Sequence, residues 1–250
     1  SKRKLRKLVE EGHVSGWTDP RMPTLAAMRR RGYPPAAIRE FVETIGVAKA
    51  DSFVEVELLE HIVRDNLNLT SPRRMAVLEP LKVVIDNYPA DQEEVFSVPD
   101  FPHDPENSAS REVPFGRVIY IERSDFEENP PPKYFRLSPG REVRLMNAYY
   151  ITCTDLVKDP AGNLLEVHCT YDPDTRGGMS PDGRKVKGTI HWVAENHAIE
   201  AEIRIYEQMF AAEQPEDLPE EESFMDYFDP ESKKVLMAKL EPSLVKAAIG

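Results

Sequence analysis

The sequence predicts an α+β fold: an N-terminal all-α helical subdomain over residues 1–74, then a β-rich part over 75–250. Three observations carry this. Apolar residues recur at helical spacing through the first 70 residues, between glycine and proline stops. From about Met75 the apolar period changes from 3.6 to 2. No long helical pattern separates the later strand-like runs, which points to antiparallel barrels or sandwiches rather than a parallel sheet.

The helical elements can be justified one by one. In SKRKLRKLVEEG, Leu5, Leu8 and Val9 form one stripe and Gly12 stops the helix. After a turn-rich stretch from His13 to Pro23, Thr24 is placed to cap LAAMRRRG, with Leu25 and Met28 inward and Gly32 at its end. Pro34 and Pro35 suit the first turn of PPAAIREFVETIG, where Ile38, Phe41, Val42 and Ile45 repeat at helical spacing. Ser52 and Glu55 form an S-x-x-E capping pattern ahead of Leu58, Leu59, Ile62 and Val63.

AVLEPLKVVIDNY, GRVIYIER, REVRLMNAYYITCTDL, NLLEVHCTYD, KGTIHWV and AIEAEIRIYEQMF then read as strands, parted by turns such as SPG, DPAGN and SPDGR. Residues 213–231 hold nine acidic groups and no Lys or Arg, and read as a solvated acidic loop with little core.

Charge and cysteine usage narrow the function classes. The net charge is −12, yet residues 1–50 carry 11 Lys and Arg against 5 Asp and Glu. A basic first fifth on an acidic remainder allows a local polyanion site on a surface kept soluble by negative charge. No run approaches the roughly 20 apolar residues of a membrane span, so no membrane partner is expected. Cys153 and Cys169 flank the DPAGN turn and could face each other across it; two free structural thiols and a reducing cytoplasm are expected, with no metal site.

No glycine-rich phosphate loop, nucleophile elbow or aspartate cluster is visible. His191 alternates with Ile190 and Trp192 and reads as a packed, hydrogen-bonded strand residue. Asp172 and Asp174 in YDPDTRGG read as turn chemistry. The basic residues say more. Lys2, Arg3, Lys4, Arg6 and Lys7 crowd the N-terminus, and Arg29, Arg30 and Arg31 sit at a helix end, where they also complement the dipole. Arg73, Arg74, Arg136, Arg141 and Arg144 stand near strand ends, where a guanidinium can reach phosphates or base edges. Tyr134 and Phe135 beside Arg136 supply the aromatic surface that holds unstacked bases. A surface salt-bridge network would use the same residues.

At this point the strings themselves are informative. SKRKLRKLVEEGHVSGWTDPRMPTLAAMRRRGYPPAAIREF resembles the segment following the catalytic domain of class I glutaminyl-tRNA synthetases. NAYYITCTDL, TYDPDT and GRKVKGTIHWV are similar to that family's anticodon-binding barrels, and the resemblance runs from Ser1 to Leu244. The archaeal and eukaryotic type of glutamyl-tRNA synthetase shares the GW-x-DPR-x-PT string, whereas RRRGYPPAAIREF and VKGTIHWV favour the glutamine family.

The resemblance implies two interleaved antiparallel barrels within 75–250, a distal one over roughly 96–195 and a proximal one from the flanking segments, whose final strands would follow Gly250. It implies that Ser1, Lys2 and Arg3 are the remnant of a KMSKS-type loop, with Lys2 steadying ATP phosphates. It places Lys49, Asp51, Ser52 and Glu55 near the anticodon stem, and Arg73, Lys133, Arg136 and Arg144 at anticodon bases. Lys133, Phe135 and Met146 depart from the family's Gln, Lys and Arg. ATP and Mg2+ would serve the whole enzyme, with no cofactor bound to this part. The partners would be tRNA(Gln) and a separate N-terminal catalytic domain, not DNA, and a monomer is expected. The chain alone would not charge tRNA. A free-standing, non-catalytic RNA-binding module and part of a glutamyl-tRNA synthetase remain the alternatives.

Overall fold

The computed structural model describes residues 2–46, 53–211 and 223–247. They fall into two compact units, one within 2–71 and 204–235, the other 72–203 with 236–247.

The first unit holds four helices: α1 (Lys2–Glu10), α2 (Leu25–Arg31), α3 (Pro35–Ile45) and α4 (Val56–Thr70). Their ends follow local chemistry. Gly12 and Gly32 take positive φ after α1 and α2, and Thr24 Oγ1 accepts from the Ala27 amide at 3.1 Å. The S-x-x-E reading fails at Glu55, which is itself the residue before α4 and makes no side-chain cap bond; Ser52 lies outside the described residues.

Two small cores hold this unit. Leu8, Val14, Met22 and Ala27 pack with Met209, joined by Phe210, Phe224, Met225 and Phe228. Ala37, Leu59, Ile62 and Val63 pack with Met28, Tyr33, Phe41 and Leu58. The second half of the acidic stretch is therefore no bare loop. Ser223 starts a 3-10 turn, Phe224–Tyr227, with a reciprocal capping box, and its Phe224 and Met225 enter the first core. Leu25, predicted inward, is 70% exposed, and Val42 and Ile45 are also exposed. A short helix packed along one side buries only a narrow stripe, on α3 Ala37 and Phe41.

Burial organises the GWTDPR turn. Asp19 is 2% exposed. It accepts from Arg21 Nε at 3.0 Å, from Arg21 Nη2 at 3.0 Å and from the Ser15 amide at 2.9 Å. Arg21 continues to Ser232 Oγ at 3.0 Å and to the His13 carbonyl at 3.2 Å. Burial alone would raise the Asp19 pKa, but Arg21 and the two amides outweigh it and hold the carboxyl well below its usual range.

The second unit is β-rich. In chain order the strands are β1 (Ala76–Val77), β2 (Pro80–Ile85), β3 (Glu94–Pro99), β4 (Ser110–Phe115), β5 (Val118–Glu122), β6 (Glu142–Leu145), β7 (Tyr150–Lys158), β8 (Leu164–Asp172), β9 (Thr189–Ile190) and β10 (Val193–Ala194), followed by β11 (Ile199–Tyr206) and β12 (Lys233–Leu240). Seven form one sheet in the order β10-β5-β2-β8-β7-β6-β9, three form β1-β12-β11, and β3 pairs with β4. The pairings are not all antiparallel as expected: β2 runs parallel to β8 and β6 parallel to β9. With β5 already antiparallel on one side of β2, the other side is taken by a strand from the β7–β8 hairpin, whose direction the DPAGN turn fixes.

Alternation on β2 and β5 buries Leu81, Val83, Ile85, Ile119 and Ile121. The same core holds an aromatic cluster in which Phe115 meets Trp192 edge-on at 5.0 Å and Phe96 meets Tyr149 at 5.6 Å. Cys153 and Cys169 face each other in register on β7 and β8, both free and buried. An ionic network of Arg74, Asp100, Arg111 and Glu241 ties the C-terminal segment to the β3–β4 hairpin.

Candidate nucleic-acid interface

Three segments meet at β9. The first is the turn Lys133–Arg136, the second the β6 strand and the third the loop from Arg176 to Gly188. Arg144 on β6 is registered opposite Thr189. Its Nε donates to Thr189 Oγ1 at 3.0 Å and its Nη1 to the Gly178 carbonyl at 3.4 Å. Arg136 approaches from the other side: Nη1 donates to the Thr189 carbonyl at 2.8 Å, and Nε lies 3.1 Å from Asp125 Oδ1. Two predicted base readers thus meet on a single residue.

Around them the surface carries exposed aromatic and apolar side chains. Phe135 is 46% exposed, and Lys187 Nζ sits 4.7 Å from its ring centroid. Met146 and Met179 are exposed nearby in sequence to Arg144 and Gly178. Gly188 is required here, because a Cβ would lie 2.2 Å from the Phe135 carbonyl oxygen. Asp125 sits under Arg136 with its pKa raised, chiefly by burial, against the opposing fields of Arg136 and His191.

Other predicted residues serve structure. Tyr134 does not offer a free ring edge: its hydroxyl donates to the Ser124 carbonyl at 3.1 Å and burial pushes its pKa up to about 12. Arg141 donates to the Tyr134 carbonyl. Arg74 bonds Asp100 at 2.6 Å. Arg73 is exposed at the start of this unit, and its amide donates to the Asp100 carbonyl at 2.7 Å. Lys133 is exposed with φ 69° in the left-handed region. His191 bonds the Ala76 carbonyl at 2.8 Å from between β9 and β10, as a packed residue should.

In the helical unit, Lys2, Arg6, Val9, Glu10 and Trp17 line an open depression beside α1, and Lys2 and Arg3 are exposed on its first turn. Glu55 is exposed before α4. Ser1, Lys49, Asp51 and Ser52 lie outside the described residues. No cluster of three or more metal-ligating side chains occurs among the described residues, and none of their helices is long and apolar enough to cross a membrane.

Sequence reasoning missed Thr189, Lys187 and Gly178 as members of this cluster. The one available signal was KGT ahead of an alternating run, a glycine where a strand should carry a side chain.

Comparison with known proteins identifies the family. Residues 71–172 and 189–250 match two family models described as tRNA synthetases class I (E and Q), anti-codon binding domain. Residues 1–69 match the catalytic-domain model of the same class, which therefore takes in the helical segment. A glutamine–tRNA ligase of Nitrobacter winogradskyi is 54% identical over 100% of this chain and 44% of its own length. That of Clostridium kluyveri is 53% identical over 98% of the chain and 44% of its length. That of Pseudomonas aeruginosa is 50% identical over 99% and 44%. The chain spans less than half the length of these curated relatives. With three successive segments matching one class in order, the chain belongs to the class I tRNA synthetases for glutamate and glutamine and carries their anticodon-binding domains.

Proposed function

We propose that this chain is the tRNA(Gln)-recognition part of a glutamine–tRNA ligase, an enzyme that joins glutamine to tRNA at the expense of ATP. The observation that carries the reading is the meeting of Arg136 and Arg144 on Thr189, beside the exposed ring of Phe135 under Lys187. Guanidinium forks fixed in place read base edges, and an exposed ring stacks a splayed base. Arg73 and Lys133 would complete the contacts to the loop. Lys49, Asp51, Ser52 and Glu55 would lie along the stem. In this reading the β-rich unit comprises a distal barrel over roughly 96–195 and a proximal barrel from the flanking segments.

Lys2 and Arg3, with Ser1, would supply positive charge to ATP phosphates in the whole enzyme, where ATP and Mg2+ provide the activated phosphate chemistry. Their exposure on the first turn of α1 suits that contact. The enzyme would act as a cytoplasmic monomer, and this part alone would not charge tRNA. Fluorescence anisotropy with anticodon stem-loops tests the recognition claim. Loops carrying CUG or UUG should bind more tightly than one carrying CUC; equal binding would leave a less selective RNA-binding role, and no binding at low salt would end the reading.

A further inference from the structure

We infer that Thr189 is a positioning residue that holds Arg144 ready for its base contact and fixes its spacing from Arg136. This rests on the RNA reading above and goes further, because it assigns the specificity of the pocket to a side chain that need not touch RNA.

An exposed arginine has about 2 kcal/mol of rotamer entropy to lose when it binds. Arg144 has already lost much of it. Its amide is held by the Gly188 carbonyl at 2.9 Å, its Nε by Thr189 Oγ1 at 3.0 Å and its Nη1 by the Gly178 carbonyl at 3.4 Å. Gly178 is the seat of the stem. Its φ is +81°, and an added Cβ would come within 3.0 Å of Arg144 Cδ. Arg136 is tethered to the same threonine through the carbonyl oxygen, at 2.8 Å. One residue on a two-residue strand therefore bonds both guanidinium groups, one through its side chain and one through its backbone. Each arginine keeps its Nη2 and the second hydrogen of its Nη1 for a ligand, and the two outer edges stand at a separation that Thr189 sets. Fixing side chains before binding raises affinity by lowering the ordering cost.

The side-chain half of this arrangement can be removed without disturbing the other. Thr189→Val keeps the β-branched shape and the carbonyl bond to Arg136 but deletes the Oγ1 acceptor; Thr189→Ser keeps the acceptor. Stem-loop affinity of the full chain would be measured for wild type, T189V, T189S, R136A, R144A, and T189V combined with each arginine variant. T189V should weaken binding about three- to tenfold, the range for immobilising one rotamer-rich side chain, while T189S binds as wild type. The T189V loss should persist in R136A and vanish in R144A, a coupling that general destabilisation would not produce. If R144A weakens binding but T189V does not, or if T189V costs the same in both arginine backgrounds, the inference is overturned while the RNA reading stands. If wild type binds and neither arginine variant matters, the reading fails and the inference with it.

Discussion

Replacing Arg136 separates recognition from stability, because the guanidinium faces two ways. Its Nε lies 3.1 Å from Asp125 Oδ1, yet its side chain is 47% exposed against 12% for that of Asp125. Arg136→Ala removes a fork able to contact a base edge, worth about 1 to 3 kcal/mol, or roughly five- to 150-fold in stem-loop affinity. It also removes a counter-charge from a carboxylate that burial already disfavours. With the arginine half exposed, the pair itself is worth roughly 0.2 to 1 kcal/mol. The sign of the pH effect follows from Asp125. Its folded pKa is raised, so the stability it contributes is full below the ordinary carboxylate pKa and is lost as pH rises through the folded value. Without Arg136 that value climbs further. The stability deficit of R136A should therefore be larger at pH 7 than at about pH 3, below the ordinary carboxylate pKa. Arg136→Lys retains the charge and not the fork, and should recover most of the stability and little of the affinity. Anisotropy and urea unfolding at both pH values measure the two effects. Wild-type binding by R136K, or an R136A deficit independent of pH, would refute the argument.

Asp19→Ala should cost about 3 to 5 kcal/mol in urea unfolding, because it leaves the Arg21 guanidinium, 7% exposed at its side chain, buried without its partner. As the folded pKa of Asp19 is depressed, its contribution is complete above the ordinary carboxylate pKa, and the gap to D19A should narrow only as pH falls below about 4. Gly188→Ala should lower the melting temperature and weaken stem-loop binding together, since the new Cβ would meet a backbone oxygen at 2.2 Å and backbone cannot swing aside as a side chain can. Arg6→Ala, on the exposed face of α1, should weaken binding to RNAs of any anticodon and reduce the salt slope by about 1, as read from affinity between 50 and 200 mM salt.

What could be read from the sequence was what local chemistry decides. Thr24 caps α2 and Gly32 ends it, the DPAGN turn joins β7 to β8, and Cys153 stands opposite Cys169. A turn with a defined hydrogen-bond pattern dictates the register of the strands beside it. Choices between distant partners were not readable. Periodicity marks β2 as a strand but does not say that β8 will lie parallel to it. Helical spacing puts Leu25, Val42 and Ile45 on a stripe but cannot say how wide a stripe the neighbours will cover. The same limit explains the site. Arg136 and Arg144 were visible as cations at strand ends, whereas Thr189 lies 53 and 45 residues from them and only the parallel β6–β9 pairing brings it between them.

On the proposed RNA reading, a chain of net charge −12 must keep its carboxylates from neutralising the cations it presents. The loop from Arg176 to Gly188 achieves this with arginines of its own. Arg184 takes Glu142, Asp172 and Asp182, and Arg176 takes Glu94, whose Oε1 also accepts from Tyr149 at 2.7 Å. These clamps consume nearby negative charge, and Gly178, the seat of Arg144, is held through its own amide, which donates to the Thr175 carbonyl at 2.8 Å. Arg144 is thereby left bonded to a hydroxyl and a carbonyl, neutral acceptors that orient the guanidinium without cancelling its charge. Arg136, sharing Asp125, is oriented at the cost of part of its field. If both arginines read bases as proposed, their surroundings make them unequal, with Arg144 the stronger electrostatic contact and Arg136 the one that also pairs with a buried carboxylate.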